Sequence, residues 1–225
     1  MWETWTRENE RLNAPLGVDL MQFNNTTFLA IASLVLAILF PTYWWSEFNV
    51  AGLHTVDSFH LNLMQFTIGD IVFLSLGVLS VIVYLGLKSA LNDQLGITTT
   101  DIPLILIAAV SAVFFGGFFL LDVIVSAAPD AFGAIARDSL LRSSIFAFVG
   151  LTVVFGVLDI VIAIFLIKEM DKLPSILKAA AIVILIQGIC EVSVIFGPVS
   201  MFTFPLMLVL LFIYFLGKPE ELEVV

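Results

Sequence analysis

The chain has 225 residues, of which 60% are hydrophobic and only 12% charged, with 21 phenylalanines. That balance excludes a water-soluble globular protein. A net charge of −10, from 9 Lys and Arg against 19 Asp and Glu, excludes the clustered basic surface that nucleic-acid binding needs, and the sole cysteine, Cys190, excludes an intrachain disulfide or CxxC redox pair.

Residues 1–25 are polar and include Glu3, Glu8 and Glu10. They lack the basic start and short apolar run of a cleavable signal, so the first membrane helix is expected to stay in the mature protein. Trp2 and Trp5, beside Arg7 and Arg11, fit a short helix lying at the interface. Asn24 and Asn25 each open an N-x-T triplet but stand at a helix start, where Asn caps free N–H groups.

A helix needs about 20 apolar residues to cross roughly 30 Å of hydrocarbon. Such runs occur at 26–45, 67–88, 102–126, 144–168, 177–197 and 199–217, and an acidic tail follows at 218–225. The sequence thus predicts an all-α fold: a polytopic bundle of six transmembrane helices in the lipid bilayer of the cell membrane. Gly197 and Pro198 separate the last two runs, which favours a tight hairpin over a single kinked helix and five crossings. Lys and Arg resist translocation. Arg7, Arg11, Lys88, Lys168, Lys172, Lys178 and Lys218 fall on one side and only Arg137 and Arg142 on the other, which predicts that both termini are cytoplasmic.

At the end of the first run, Trp44 and Trp45, after Pro41 and Tyr43, mark the outer interface. Trp44-Trp45 followed by Gly52-Leu53 resembles the W…GLW element of claudin-like proteins, but its paired cysteines and third Trp are absent and two further helices follow. No family property is carried over. The outer segment 46–66 contains His54, Asp57 and His60. On a helix this spacing gathers them onto an arc of about 120°, a donor set for Zn or Cu; the same residues also read as a solvated loop. The outer loop 127–143 is expected to hold a short separate interfacial helix.

Four of the runs carry a carboxyl group, Asp70, Asp122, Asp159 and Glu191, with no Lys or Arg in the central spans. Insertion of Asp at a helix centre costs about 2.5–3.5 kcal/mol, so each acid is expected to face protein or water, or to hold a proton or cation. At 100° per residue, Asp70, Gly77 and Tyr84 share a face, Gln187 lies one turn from Glu191, Gly156 flanks Asp159, and Ala108 and Ala112 lie towards the Asp122 face. Counting from the helix ends places Asp70, Asp122 and Glu191 in one layer roughly 5–9 Å inside the outer boundary, with Asp159 deeper.

Other chemistries find no footing. The strings around Asp70 and Asp122 do not match an aspartyl intramembrane protease, both histidines lie outside the runs, and neither HExxH nor a phosphate-cradling glycine loop occurs. Haem ligation, and any other cofactor, is likewise not expected. The sequence therefore points to a cation or proton pathway through Asp70, Asp122, Asp159 and Glu191, with Gln187 beside them. The alternative is a non-catalytic structural or assembly subunit whose acids meet basic residues of other membrane subunits or of a second copy.

Overall fold

The computed structural model describes residues 16–51, 66–128 and 133–217. They form six α-helices: α1 (Leu16–Ala51), α2 (Ile68–Leu95), α3 (Asp101–Ala127), α4 (Ala134–Lys168), α5 (Ser175–Val192) and α6 (Ser200–Leu216). Short 3₁₀ turns occupy Met170–Lys172 and Gly197–Val199, and no strand occurs among the described residues. Five helices are long and apolar enough to cross a membrane. The sixth, at 17 residues, is about 26 Å long, the lower limit for a crossing.

Ile68, Ile102, Phe146, Ile195 and Phe202 are 72–84% exposed. A helix bundle in water would present charge on these faces. Apolar faces outside and polar groups inside are the arrangement of a multi-pass integral membrane protein, whose surrounding solvent is hydrocarbon.

Local sequence explains most helix ends. Thr67 and Asp70 form a capping box that opens α2, satisfying N–H groups the helix itself leaves free. Gly96, with φ 65°, closes α2 in the left-handed region, and the Ile97 N–H bonds back to the Leu91 carbonyl at 3.0 Å. Pro174 precedes α5, and its carbonyl accepts from the Leu177 and Lys178 N–H groups.

Several boundaries differ from those the apolar runs predict. α1 runs from Leu16 to Ala51 and outreaches the 26–45 run at both ends, so Asn24 and Asn25 lie within it and do not cap its start; Pro41 is accommodated because a membrane helix absorbs one missing N–H without ending. α2 likewise continues to Leu95. Within 127–143 the described residues from Ala134 onward belong to α4 itself, and Arg142 donates to Asp138 one turn earlier at 3.0 Å, a spacing that supports a continuous helix. α5 stops at Val192 instead of 197. The Ser193 hydroxyl bonds the Cys190 carbonyl at 2.7 Å and Val194 turns to φ 57°, so α5 and α6 are two helices and not one kinked rod.

The helices follow one another round a ring in sequence order, and α6 closes against α1. The pairs α4–α5, α2–α3 and α1–α6 pack most closely, while α1–α2 and α3–α4 are looser seams. Between α4 and α5 the backbones themselves meet. A Cβ on Gly156 would lie 2.7 Å from the Gly188 carbonyl oxygen, and one on Gly188 would lie 2.6 Å from that of Gly156. Only glycine allows that approach. On α3 the expected Ala108–Ala112 pair does not form a packing face: Ala108 is buried but Ala112 is exposed. The buried stripe runs instead through Leu104, Ile107, Ser111, Phe115 and Asp122, because 40° separates successive i, i+4 residues and the stripe drifts.

Candidate functional site

All four intramembrane acids turn into the bundle: Asp159 is 1% exposed, Asp122 6%, and Asp70 and Glu191 8% each. The ion pairs among the described residues lie elsewhere, joining Lys88 to Asp101, Arg142 to Asp138 and Lys172 to Glu169. The acids therefore have no cation beside them within the described chain.

They divide two and two. In the first group Asp70 accepts from the Thr67 backbone N–H, and Asp122 comes within hydrogen-bonding reach of Asp70, an approach that like charges resist unless a proton or cation intervenes. Tyr43 of α1 adjoins both, together with Glu47. Asp122 Oδ1 is buried without a partner.

The second group spans α4 and α5. The Gln187 amide donates to Asp159 Oδ2 at 2.8 Å and to Glu191 Oε1 at 3.3 Å. The Gly156–Gly188 contact makes this possible, since it brings the Asp159 turn of α4 against the Gln187 turn of α5. Tyr84 of α2 lies near both acids. With the amide N–H groups committed, Gln187 Oε1 and Glu191 Oε2 remain buried and unpartnered.

Depth counting placed Glu191 in a layer with Asp70 and Asp122; the structure pairs it with Asp159 instead. The reason is the Gly156–Gly188 contact, which sets the Asp159 turn of α4 level with the Gln187 turn of α5 whatever the distance to either helix end.

A central cavity of about 290 Å³ reaches the second group. Its walls are aromatic, from Phe40 and Trp44 of α1, Phe114 of α3, Phe148 and Phe155 of α4, and Phe204 of α6. These rings brace one another: Trp44 meets Phe148 edge-on at 6.0 Å, Phe114 meets Phe155 edge-on at 5.6 Å, and Phe40 stands 4.6 Å from Phe204. Polar groups interrupt the aromatic lining at Ser80, Tyr84, Ser111, Thr152, Gln187 and Glu191. The hydroxyls of Ser80, Ser111 and Thr152 donate to the Leu76, Ile107 and Phe148 carbonyls at 2.8, 2.8 and 2.9 Å.

His54, Asp57 and His60 lie outside the described residues. Among the described residues no group of three His, Cys, Asp or Glu side chains is arranged to hold a metal. Two features went unread in the sequence. Tyr43 and Glu47 become one-turn neighbours beside the start of α2 only once α1 is known to continue past residue 45. The cavity rings were hidden among 21 phenylalanines, although Ser80, Ser111 and Thr152, hydroxyls within Phe- and Val-rich helices, were a signal.

The site and fold define a helical multi-pass membrane protein with a carboxyl–amide group at an aromatic central cavity. Comparison of the chain with protein-family models, with curated proteins and with solved structures finds no significant match.

Proposed function

We propose that the chain is a cation- or proton-coupled transporter or channel of the cell membrane. Asp159, Gln187 and Glu191 hold the transported ion, and Asp70 and Asp122 attract it at the outer mouth. The distribution of Lys and Arg supports an orientation with both termini cytoplasmic.

The observation that carries this reading is Glu191 Oε2, a carboxyl oxygen buried without a partner at a cavity wall. A carboxyl kept in the membrane interior at a cost of a few kcal/mol is a poor choice for packing alone. It is what a passing proton or cation requires. Carboxylates repel anions, so the path favours positive charge.

The test is flux in liposomes containing only this purified chain, under an imposed proton or cation gradient. Wild-type protein is expected to conduct, and Asp159→Asn to reduce the rate at least about tenfold, the loss of one ion-binding interaction worth roughly 1.4 kcal/mol. Equal rates in the two proteins overturn the reading. If instead the chain is stable only together with a membrane protein whose Lys or Arg meets these acids, it is a structural or assembly subunit.

A further inference from the structure

We infer that the central cavity binds a small protonated amine with an apolar body, its ammonium group towards Glu191 and Gln187 and its hydrocarbon or aromatic part among the phenylalanines. The inference rests on the reading of this cavity as the ion-handling site, and it names the class of cation.

The first argument is the imbalance of donors and acceptors. A backbone carbonyl can only accept, so the protons of Ser80, Ser111 and Thr152 are committed to their own helices. Each of these residues lines the cavity and turns only oxygen lone pairs towards it. Gln187 Oε1 and Glu191 Oε2 add two more acceptors, both buried and both without a partner. Gln187 is 2% exposed and Glu191 8%. Against these five oxygens stand three residues that carry a donor, Tyr84, Trp44 and Ser200.

A ligand that fits must therefore bring donors. An anion finds fewer donors than acceptors here and a carboxyl that repels it. A sugar or polyol, which needs donors and acceptors in similar numbers, leaves some of its acceptors unmet, at about 1–3 kcal/mol for each one buried. An ammonium group brings up to three N–H donors and a charge opposite to that of a carboxylate.

The second argument is the wall. Phe40, Trp44, Phe114, Phe148, Phe155 and Phe204 surround the polar groups. Aromatic faces attract cations by about 0.5–2 kcal/mol, more where water is excluded. A bare or hydrated metal ion would leave this apolar surface without contact, whereas an organic body fills it. The volume, about 290 Å³, is that of roughly ten liquid waters and lies at the low end of small-molecule sites. The ligand is accordingly compact.

Three probes of one size decide the matter on wild-type protein in lipid nanodiscs: 2-phenylethylammonium, neutral 2-phenylethanol and anionic phenylacetate, with affinities read by calorimetry. The ammonium probe is expected to bind at least about tenfold more tightly than the alcohol, and phenylacetate not to bind. Glu191→Gln is expected to remove most of that preference, and Trp44→Leu to weaken ammonium binding several-fold while the alcohol changes less. Because the series runs on unaltered protein, misfolding of a variant does not obscure it. Equal affinity for ammonium and alcohol, or no binding of either, overturns the inference. Proton flux that depends on Asp159 with no ammonium binding overturns it too, and leaves the proton reading intact. Charge-selective binding without any flux supports the inference and removes transport.

Discussion

Asp70 stands in the first turn of α2, where the Thr67 N–H reaches its carboxyl. Asp159 stands twenty-five residues into α4, where every nearby backbone group is already paired, and it accepts a hydrogen bond from an amide on another helix. The first acid is accounted for by local folding, since a helix start offers free N–H groups and a favourable dipole. No local reason accounts for the second. The two groups teach that burial alone does not mark a working acid. A carboxyl that caps its own helix contributes to stability whatever else it does, whereas one held across a helix pair, with unpartnered oxygens beside it and a cavity in front, has no such local account.

The strongest way to break this contrast is to remove the scaffold of the inner group. Gly156→Val forces a side chain onto the Gly188 carbonyl and is expected to cost about 3 kcal/mol or more, seen as loss of a monodisperse peak or a large fall in melting temperature in detergent. Gly117→Ala, where a Cβ meets nothing within 4 Å, is the control and is expected to gain up to about 1 kcal/mol from helix propensity.

Next comes the chemistry of Asp159. Asp159→Leu leaves the Gln187 amide without its best acceptor and is expected to cost about 1–3 kcal/mol in thermal unfolding. Asp159→Asn keeps an acceptor and should retain most of that stability while losing flux. The pair separates a packing role from an ionic one.

Asp70→Ala should behave differently. It removes a cap, a loss of about 1 kcal/mol, and hydrogen exchange should quicken at the start of α2 while Asp159-dependent flux falls only a few-fold. An Asp70→Ala variant that abolishes flux without altering exchange would erase the distinction drawn above. Smallest of all, Tyr214→Phe removes the bond to Gln94 at 2.9 Å near the opposite end of the bundle, with an expected loss of about 0.5–1.5 kcal/mol and no change in flux.

The apolar runs made six helices legible because hydrocarbon imposes length and composition together. Helix ends were less so. The polar residues Asn24, Asn25 and Glu47 read as lying at or beyond the ends of the first span yet fall within α1, and the Asp138–Arg142 pair makes helix of a stretch that looked like loop. The inward turn of Asp70, Asp122, Asp159 and Glu191 could be read from the absence of any Lys or Arg near them. Their grouping could not, because it depends on the glycine contact between α4 and α5, which helical periodicity does not encode. The cavity was illegible for a compositional reason: when most neighbours are Phe, Val, Ile or Leu, no pattern picks out the few that face one another across a ring.

The glycine contact also fixes unequal heights. Gly156 lies twenty-two residues from the start of α4 and Gly188 only four from the end of α5, about 33 Å and 6 Å respectively. The α4 wall thus rises far above the turn that joins α5 to α6, where Ile195 and Phe196 are exposed. The first ten residues of α4 include Asp138 and Arg142 and are too polar for hydrocarbon. From Ser144 the apolar wall still stands about 18 Å above Gly156, and each ångström of mismatch with a bilayer of uniform thickness costs a fraction of a kcal/mol. Lipids next to the low wall must thin or tilt, so the thickness and acyl composition of the host membrane act directly on the shoulder of the bundle that closes the cavity.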